Sequence, residues 1–348
     1  MVNVYITKKF LPDTRYLPIL FPHLGELKNA KQLFADMGRR AFREPAFNLT
    51  DDIDSANFIL LPHDFFDVIK KCPEYLQNHI ELSKKSGKKL LIFDLSDYTD
   101  QEIDIPEAII FRIAGYRSKK KENEIIIPTF VEDLSKYADM KWRSKSDVPV
   151  IGFCGWGSLP NFKSRAKLFI KNFIVSLKKI IKRDVNLEFT KRGIYFRIKS
   201  INMIKKCHGV VTKFILRGSY SSHQATIEIP PERARAEYVQ NILDSDLALA
   251  VKGDANISCR FYEILSLGRI PLFIDTDCVL PLEDVIDYRK FVVFVDFRNL
   301  DGVCETIENF YKNISNENFI VMQKSAREAF EKYLNTVSFL KYILPTLL

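Results

Sequence analysis

The stretch DLALAVKGDANISCRFYEILSLGRIPLFID, residues 246–275, decides how the rest of the chain is read. Leu247–Val251 is a short uninterrupted apolar run, the pattern of a strand buried on both faces. The polar stretch Lys252–Ile257 ends it, and Ser258 stands where a helix begins. Gly268 is placed to stop that helix, and IPLFI then returns as the next strand. Strand, loop, helix and strand make one β-loop-α-β unit. In an open α/β sheet its loop lies at the carboxyl edge, where ligands bind.

The residues of that loop and first helical turn suit a diphosphate. A helix amino terminus offers unpaired N–H groups and the positive end of its dipole. Gly253 lets a ligand approach bare backbone. Ser258 can cap the helix or donate to a phosphate oxygen. Arg260 can direct a two-pronged guanidinium at a diphosphate. Glu263, three residues on and so on the same helix face, can accept from vicinal hydroxyls such as those of ribose. Singly, each has an ordinary alternative: a turn glycine, a cap, a surface ion pair. Together they favour a nucleotide diphosphate.

Working outward, the same alternation of apolar runs and helical patterns continues in both directions, which predicts an α/β protein with largely parallel sheets. Toward the amino terminus the expected strands are VNVYI (2–6), NFILLP (57–62), KLLIFDL (89–95), AIIFRI (108–113) and EIIIP (124–128), with a helix over 74–86. SKKKENE (118–124) reads as a charged loop with no core-forming residues. KYADMKWRSKSDVP is polar, ends in proline and leads into a fresh strand, VIGFCG (150–155). It divides a first Rossmann-like domain, 1–145, from a second, 146–330. Residues 331–348 form a helix expected to pack back on the first domain. In the second domain Ala166, Phe169, Ile170, Phe173, Leu177, Ile180 and Ile181 recur at helical spacing and are expected to face a core. VTKFILRG (211–218) and FVVFVD (291–296) complete its strands. Gly152, Gly155 and Gly157 in IGFCGWGS read as a flexible loop, either admitting donor phosphates or acceptor or forming a plain tight turn.

Length and composition agree with two ordinary globular domains: 348 residues, 47% hydrophobic and 28% charged. No run approaches the roughly 18 apolar residues of a membrane helix. MVNVYITKKF reads as a first strand and not as a secretory leader, so the cytosol is the expected location. The six cysteines show no CxxC pair, and are expected to be free core thiols without a zinc site or disulfide framework. A net charge of +8 favours anionic partners, among them nucleotide diphosphates, acidic glycans and an anionic membrane face touched peripherally.

The stretch 235–296 also resembles the exostosin-type glycosyltransferases. The matching residues are Gly253, the S-x-R-x-x-E of Ser258, Arg260 and Glu263, then Gly268, Ile270 and Pro271, followed by DTDCVLPLEDVIDYRKFVVFV. ILRGSY (215–220), AEYVQNILDSDLALA (236–250) and, more loosely, NFILLPHDFF (57–66) extend the similarity. The resemblance implies a GT-B fold, in which two Rossmann-like domains face each other across a cleft. It further implies inverting transfer of a sugar from a nucleoside-diphosphate sugar, with UDP favoured, to a hydroxyl of an oligosaccharide, polysaccharide or glycolipid. Arg260 and Ser258 would hold the diphosphate and Glu263 the ribose. Arg217 is a second cation for the leaving group, or else a surface arginine before a turn.

Inversion needs a base for the acceptor hydroxyl. In this architecture it comes from the first domain, at the carboxyl end of a strand. Asp64 and His63 in LLPHDFFD satisfy that position, with His23 and Asp94 at other strand or loop edges. No cofactor beyond the donor is implied. DSD (244–246) and DTD (275–277) resemble the DxD of metal-dependent transferases, but the first precedes its strand and the second falls in a turn that the resemblance already explains. Metal independence is therefore expected, with arginine and the helix dipole stabilising the departing diphosphate. The competing readings are a basic nucleic-acid-binding protein, for which no RRM, KH, zinc or helix-turn-helix signature is present, and a non-catalytic glycan-binding protein on the same fold. No GxGxxG follows the first strand, which disfavours a dehydrogenase.

Overall fold

Two all-parallel sheets organise the chain, and the expected α/β class holds. The computed structural model describes residues 1–25, 41–99, 101–159, 161–182, 193–218 and 229–348. In the first sheet β1 (Asn3–Tyr5), β2 (Asn48–Thr50), β3 (Phe58–Leu60), β4 (Lys89–Asp94), β5 (Ala108–Arg112) and β6 (Glu124–Ile126) run in the order β2-β1-β3-β4-β5-β6. In the second, β7 (Val150–Trp156), β8 (Val211–Arg217), β9 (Leu247–Ala250), β10 (Ile270–Asp275) and β11 (Val293–Asp296) run in the order β11-β10-β9-β7-β8. All ten strands expected from apolar runs are present. The added strand, β2, is three residues at a sheet edge and has none of its side chains buried.

One compact unit comprises Met1–Glu132, Val279–Glu283 and Glu331–Leu348. Its core joins β1, β3, β4 and β5 to Val337, Phe339, Leu340 and Leu344 of the last helix, Thr336–Thr346. Lys89 Nζ donates to the Leu347 carbonyl at 2.7 Å and helps hold that helix end. Val279–Glu283 joins the same unit through Arg117, whose guanidinium grips both Glu283 carboxylate oxygens, at 2.5 and 3.0 Å. A buried triad crosses the sheet. Arg112 donates from Nε to Asp94 at 2.9 Å, from Nη1 to Glu124 at 3.1 Å and from Nη2 to the Tyr98 carbonyl at 3.0 Å. Glu124, where the expected charged loop meets the expected strand EIIIP, begins β6 and is 3% exposed, with Arg112 satisfying its buried carboxyl.

The other unit comprises Asp133–Cys278 and Asp284–Phe330. It begins earlier than the 145/146 boundary expected from the sequence, with Asp133 held by Arg327 at 2.7 and 2.8 Å and the Leu134 N–H donating to Ser266. Asp246, the last residue of DSD, is wholly buried at the entrance to β9. It accepts from Arg143 Nε (2.8 Å), Ser146 Oγ (3.1 Å), the Val150 N–H (2.8 Å) and the Tyr311 hydroxyl (3.1 Å). Four donors satisfy the buried carboxyl group there, and they tie the linker segment to the sheet.

Three expectations are corrected in this unit. Cys207 and Cys304 form a disulfide that joins the end of the helix Gly193–Ile204 to the helix Val303–Asn313. Two cysteines so far apart in sequence carry no spacing signal, and such bonds persist in oxidising surroundings. Gly152 and Gly155 are not in a loop but inside β7. A Cβ on Gly152 would lie 1.9 Å from Ser245 Oγ and 3.0 Å from the Asn241 carbonyl, so the bare backbone lets the helix Pro231–Leu243 pack close. Lastly, the apolar stripe of the helix Phe162–Lys182 faces outward. Phe169, Ile170, Phe173, Leu177 and Ile181 are exposed and Ala166 half-exposed, while the placement of the Ile180 side chain lies outside the described residues. Periodicity identifies an amphipathic helix but carries no information on what covers it.

Candidate functional site

Residues 246–275 fold as strand, loop, helix and strand, with the loop at the carboxyl edge of the second sheet. β9 ends at Ala250, the loop spans 251–258, and the helix Cys259–Ser266 leads to β10. Asn256, wholly buried, fixes the loop to the end of β10. Its amide donates to the Thr276 carbonyl at 3.1 Å and its oxygen accepts the Thr276 hydroxyl at 2.7 Å. The Gly253 N–H donates to the Ile257 carbonyl at 2.9 Å and closes the turn. Arg197 of the helix Gly193–Ile204 joins two strand ends, donating to the Trp156 carbonyl at 3.0 Å and the Lys252 carbonyl at 3.2 Å. Gly193 lets that helix touch the loop: a Cβ there would stand 2.1 Å from the Gly253 carbonyl oxygen.

Ser258 occupies the N-cap position with extended backbone, but its side chain makes no capping bond. Capping is therefore not its role in this state, and the first-turn N–H groups get no side-chain acceptor from it. Arg260 turns under the end of β7. Its guanidinium carbon sits 4.1 Å from the Phe153 ring centre and 5.2 Å from that of Tyr238, and Nη2 donates to the Cys154 carbonyl at 2.6 Å. Among the described residues Nε and Nη1 have no acceptor, although both are buried. Two guanidinium nitrogens without acceptors in a low-dielectric setting favour an anion.

Gly155 makes this position available. Its φ of +148° suits glycine, and a Cβ would lie 2.7 Å from Arg260 Nη2. The two residues, 105 positions apart in sequence, are thus brought into contact. Glu263, half-buried, accepts the Tyr238 hydroxyl at 2.5 Å and lies 4.0 Å from Arg235 Nη1. No direct Arg260–Glu263 ion pair forms among the described residues. Tyr238 stands between them, its ring under the cation and its hydroxyl on the carboxylate. Burial first, then the Glu263 charge, pushes its phenol well above the ordinary range and keeps it a donor. Sequence reading places Tyr238 in a matching segment without singling it out, and misses Arg197 entirely.

Arg217, at the end of β8, is committed differently. It pairs with Glu237 at 3.1 Å, which Arg233 also approaches at 3.3 Å. Arg217 and Arg260 both act on Cys154, whose thiol burial pushes up while the two cations oppose the shift. DTD at 275–277 supplies a turn: Asp275 accepts the Cys278 N–H at 2.9 Å and Asp277 takes a left-handed φ of 63°.

The candidate bases lie in the first unit. His63 is wholly buried, with Nδ1 donating to the Arg15 carbonyl at 2.8 Å and Nε2 accepting the Leu11 N–H at 3.0 Å. Burial holds its pKa below the ordinary value, and neither nitrogen is left for a substrate proton, so it serves the core. Asp94 belongs to the Arg112 triad and also accepts from Ser96. His23 is half-buried against Phe47, and burial lowers its pKa. Asp64 caps the helix Phe65–Lys71. One oxygen accepts the Phe66 and Asp67 N–H groups at 3.0 and 3.4 Å, and the other accepts the Leu95 N–H at 2.7 Å. Burial nonetheless raises it to about 7, helped by the charges of Asp94 and Asp67 and opposed by the backbone donors.

Each unit carries one all-parallel sheet, and the second has a ligand-type loop at its sheet's carboxyl edge. Residues 191–310 match the family model of the exostosin GT47 domain, so the resemblance drawn from the sequence holds over this part of the chain. Among curated proteins the chain is similar to Exostosin-1a of Danio rerio, 22% identical over 86% of this chain and 39% of that protein. Over 15% of this chain it is 40% identical to the probable arabinosyltransferase ARAD1 of Arabidopsis thaliana, covering 12% of that protein. Exostosin-1 of Drosophila melanogaster is 26% identical over 30% of this chain and 13% of its own length. The chain therefore spans well under half of each of these relatives. Two solved structures are similar at low overlap. TarM covers 83% of this chain and 50% of its own at 15% identity and TM-score 0.32. Anabaena Alr3699/HepE in complex with UDP and glucose covers 100% and 99% at 8% identity and TM-score 0.39.

Proposed function

We propose that the protein transfers a sugar from a nucleoside-diphosphate sugar, UDP-linked by preference, to a hydroxyl of a glycan or glycolipid, with inversion and without a metal. The observation that carries this reading is Arg260, with two nitrogens that lack acceptors among the described residues, beside the bare backbone of Gly155 and the first turn of the helix Cys259–Ser266. These groups suit the negative charge that develops on a departing diphosphate. Glu263, already accepting one hydroxyl from Tyr238, has the chemistry to accept those of ribose. In the reaction the acceptor oxygen attacks the anomeric carbon from the face opposite the diphosphate. The old C–O bond breaks as the new one forms, and the electron pair leaves with the nucleoside diphosphate. We assign Asp64 as the group that takes the hydroxyl proton, since a carboxylate raised to about 7 is matched to that task near neutral pH.

A melting screen against UDP-, GDP- and CMP-sugars, with and without a divalent ion, tests the proposal. A donor at one hundred times its Kd adds about 2.7 kcal/mol, or roughly 5–10 °C for a unit of this size. Arg260→Ala should abolish the shift and any donor hydrolysis. Silence from every donor at saturation would overturn the reading. Donor hydrolysis by the wild type would separate an enzyme from a glycan-binding protein on the same fold.

A further inference from the structure

The helix Phe162–Lys182 carries an apolar face that nothing among the described residues covers. Phe169 is 73% exposed, Phe173 58% and Ile181 77%, with Ile170, Ile174 and Leu177 between them on the same stripe. Ordered interiors bury such side chains, and a contiguous row of them in the open marks an interaction surface. The remainder of the helix is cationic. FKSRAKLFIKNFIVSLKKIIK holds seven lysines and arginines and no aspartate or glutamate. Lys163, Arg165 and Lys167 of its first turns are exposed.

That combination selects among partners. A second copy docking through this face would set the same cations against themselves. Nucleic acid would use the cationic side and leave Phe169 and Phe173 in water. Among the described residues no helix is long and apolar enough to cross a membrane. An anionic bilayer surface satisfies both halves at once, taking the aromatic and aliphatic stripe into its headgroup boundary while lysines meet lipid charge. We propose that this helix docks the protein on anionic membrane, lying in the plane of its surface. It starts six residues after Trp156, so the docked element leaves the same sheet edge as the Arg260 site.

Sedimentation of the full chain with vesicles tests this. Vesicles of phosphatidylcholine with one-third phosphatidylglycerol should bind the protein, and phosphatidylcholine alone only weakly, with binding to the former falling as salt rises. Phe169→Asp with Phe173→Asp, both at exposed positions, should melt like the wild type and lose binding at least tenfold per residue. Lys163→Glu and Lys167→Glu should each lose roughly fivefold. As a second readout, Phe169→Trp should shift its added indole emission to the blue when anionic vesicles are added. Equal binding by the aspartate variant, or an emission from Phe169→Trp that vesicles leave unmoved, would overturn the proposal. So would self-association, or oligonucleotide binding, that the aspartate variant abolishes while vesicles leave the wild type in solution. Donor-induced melting shifts that survive in the aspartate variant keep this test separate from that of sugar transfer.

Discussion

Replacing Gly155 by alanine perturbs the Arg260 site at one atom. A side chain at φ +148° occupies backbone space that is essentially glycine's, a strain of about 1–3 kcal/mol. The new Cβ also falls 2.7 Å from Arg260 Nη2, closer than real contacts allow, so the tip of that side chain must shift, loosening its hold on the Cys154 carbonyl at 2.6 Å and its seat 4.1 Å over Phe153. A charged hydrogen bond contributes about 1.5–3 kcal/mol and a desolvated cation–π contact about 2, and both belong to one displaced group. With that group counted once, strain and displacement together reach about 2.5–6 kcal/mol, or about 5–24 °C in a unit of this size. Calorimetric melting should register that loss, and titration with UDP should show binding weakened at least tenfold. Gly253→Ala is the control. Its Cβ would meet a single atom at 3.8 Å with no positive φ, so it should melt within about 1 kcal/mol of the wild type, by roughly the ordinary glycine-to-alanine difference. If Gly155→Ala melts and binds UDP like the wild type, the account of why Arg260 sits where it does is wrong.

Other outcomes are equally specific. Asp64 is raised from 3.8 to about 7 on folding, so the stability linked to it is full below about pH 4 and is lost as pH rises toward 7, by up to about 4 kcal/mol. Denaturant unfolding across pH 4–8 should show that slope in the wild type and not in Asp64→Asn; parallel slopes would refute it. Arg112→Ala leaves Asp94 and Glu124 buried without a counter-charge and should cost about 3–5 kcal/mol in urea unfolding, with Arg112→Lys recovering only part because one ammonium cannot reach three acceptors. Cys207→Ser with Cys304→Ser should lower stability by about 2–4 kcal/mol, matched by adding reductant to the wild type; a melt indifferent to reductant would show the bond to be absent in solution. Thiol blocking during extraction would report whether the native location, expected to be the cytosol, leaves the bond intact.

What the sequence makes legible is whatever short-range pattern controls. Apolar runs such as KLLIFD and IPLFID announce β4 and β10 because strands buried on both faces need nothing else. NLT at β2 has no such run, and only its partner β1 makes it a strand. The loop and first turn carrying Arg260 are readable for the same reason, local punctuation by Gly253, Ser258 and Gly268. Partnerships across the fold are not. Gly155 under Arg260, Tyr238 between Arg260 and Glu263, and Arg197 across two strand ends each join positions that only the sheet order brings together. His63 shows the converse, since a histidine after a strand looks available until Leu11 and Arg15 are found on both its nitrogens. The outward face of Phe162–Lys182 lies beyond sequence reading because periodicity describes one helix and never its neighbour.

The bond between Cys207 and Cys304 brackets the whole strand-loop-helix that carries Arg260 and Glu263, a span of 97 residues. A protease cut anywhere inside that span leaves two pieces still joined covalently. On a denaturing gel they would migrate as one band until thiol is added and then part into two, so limited digestion read with and without thiol maps which backbone positions inside the bracket are open to attack.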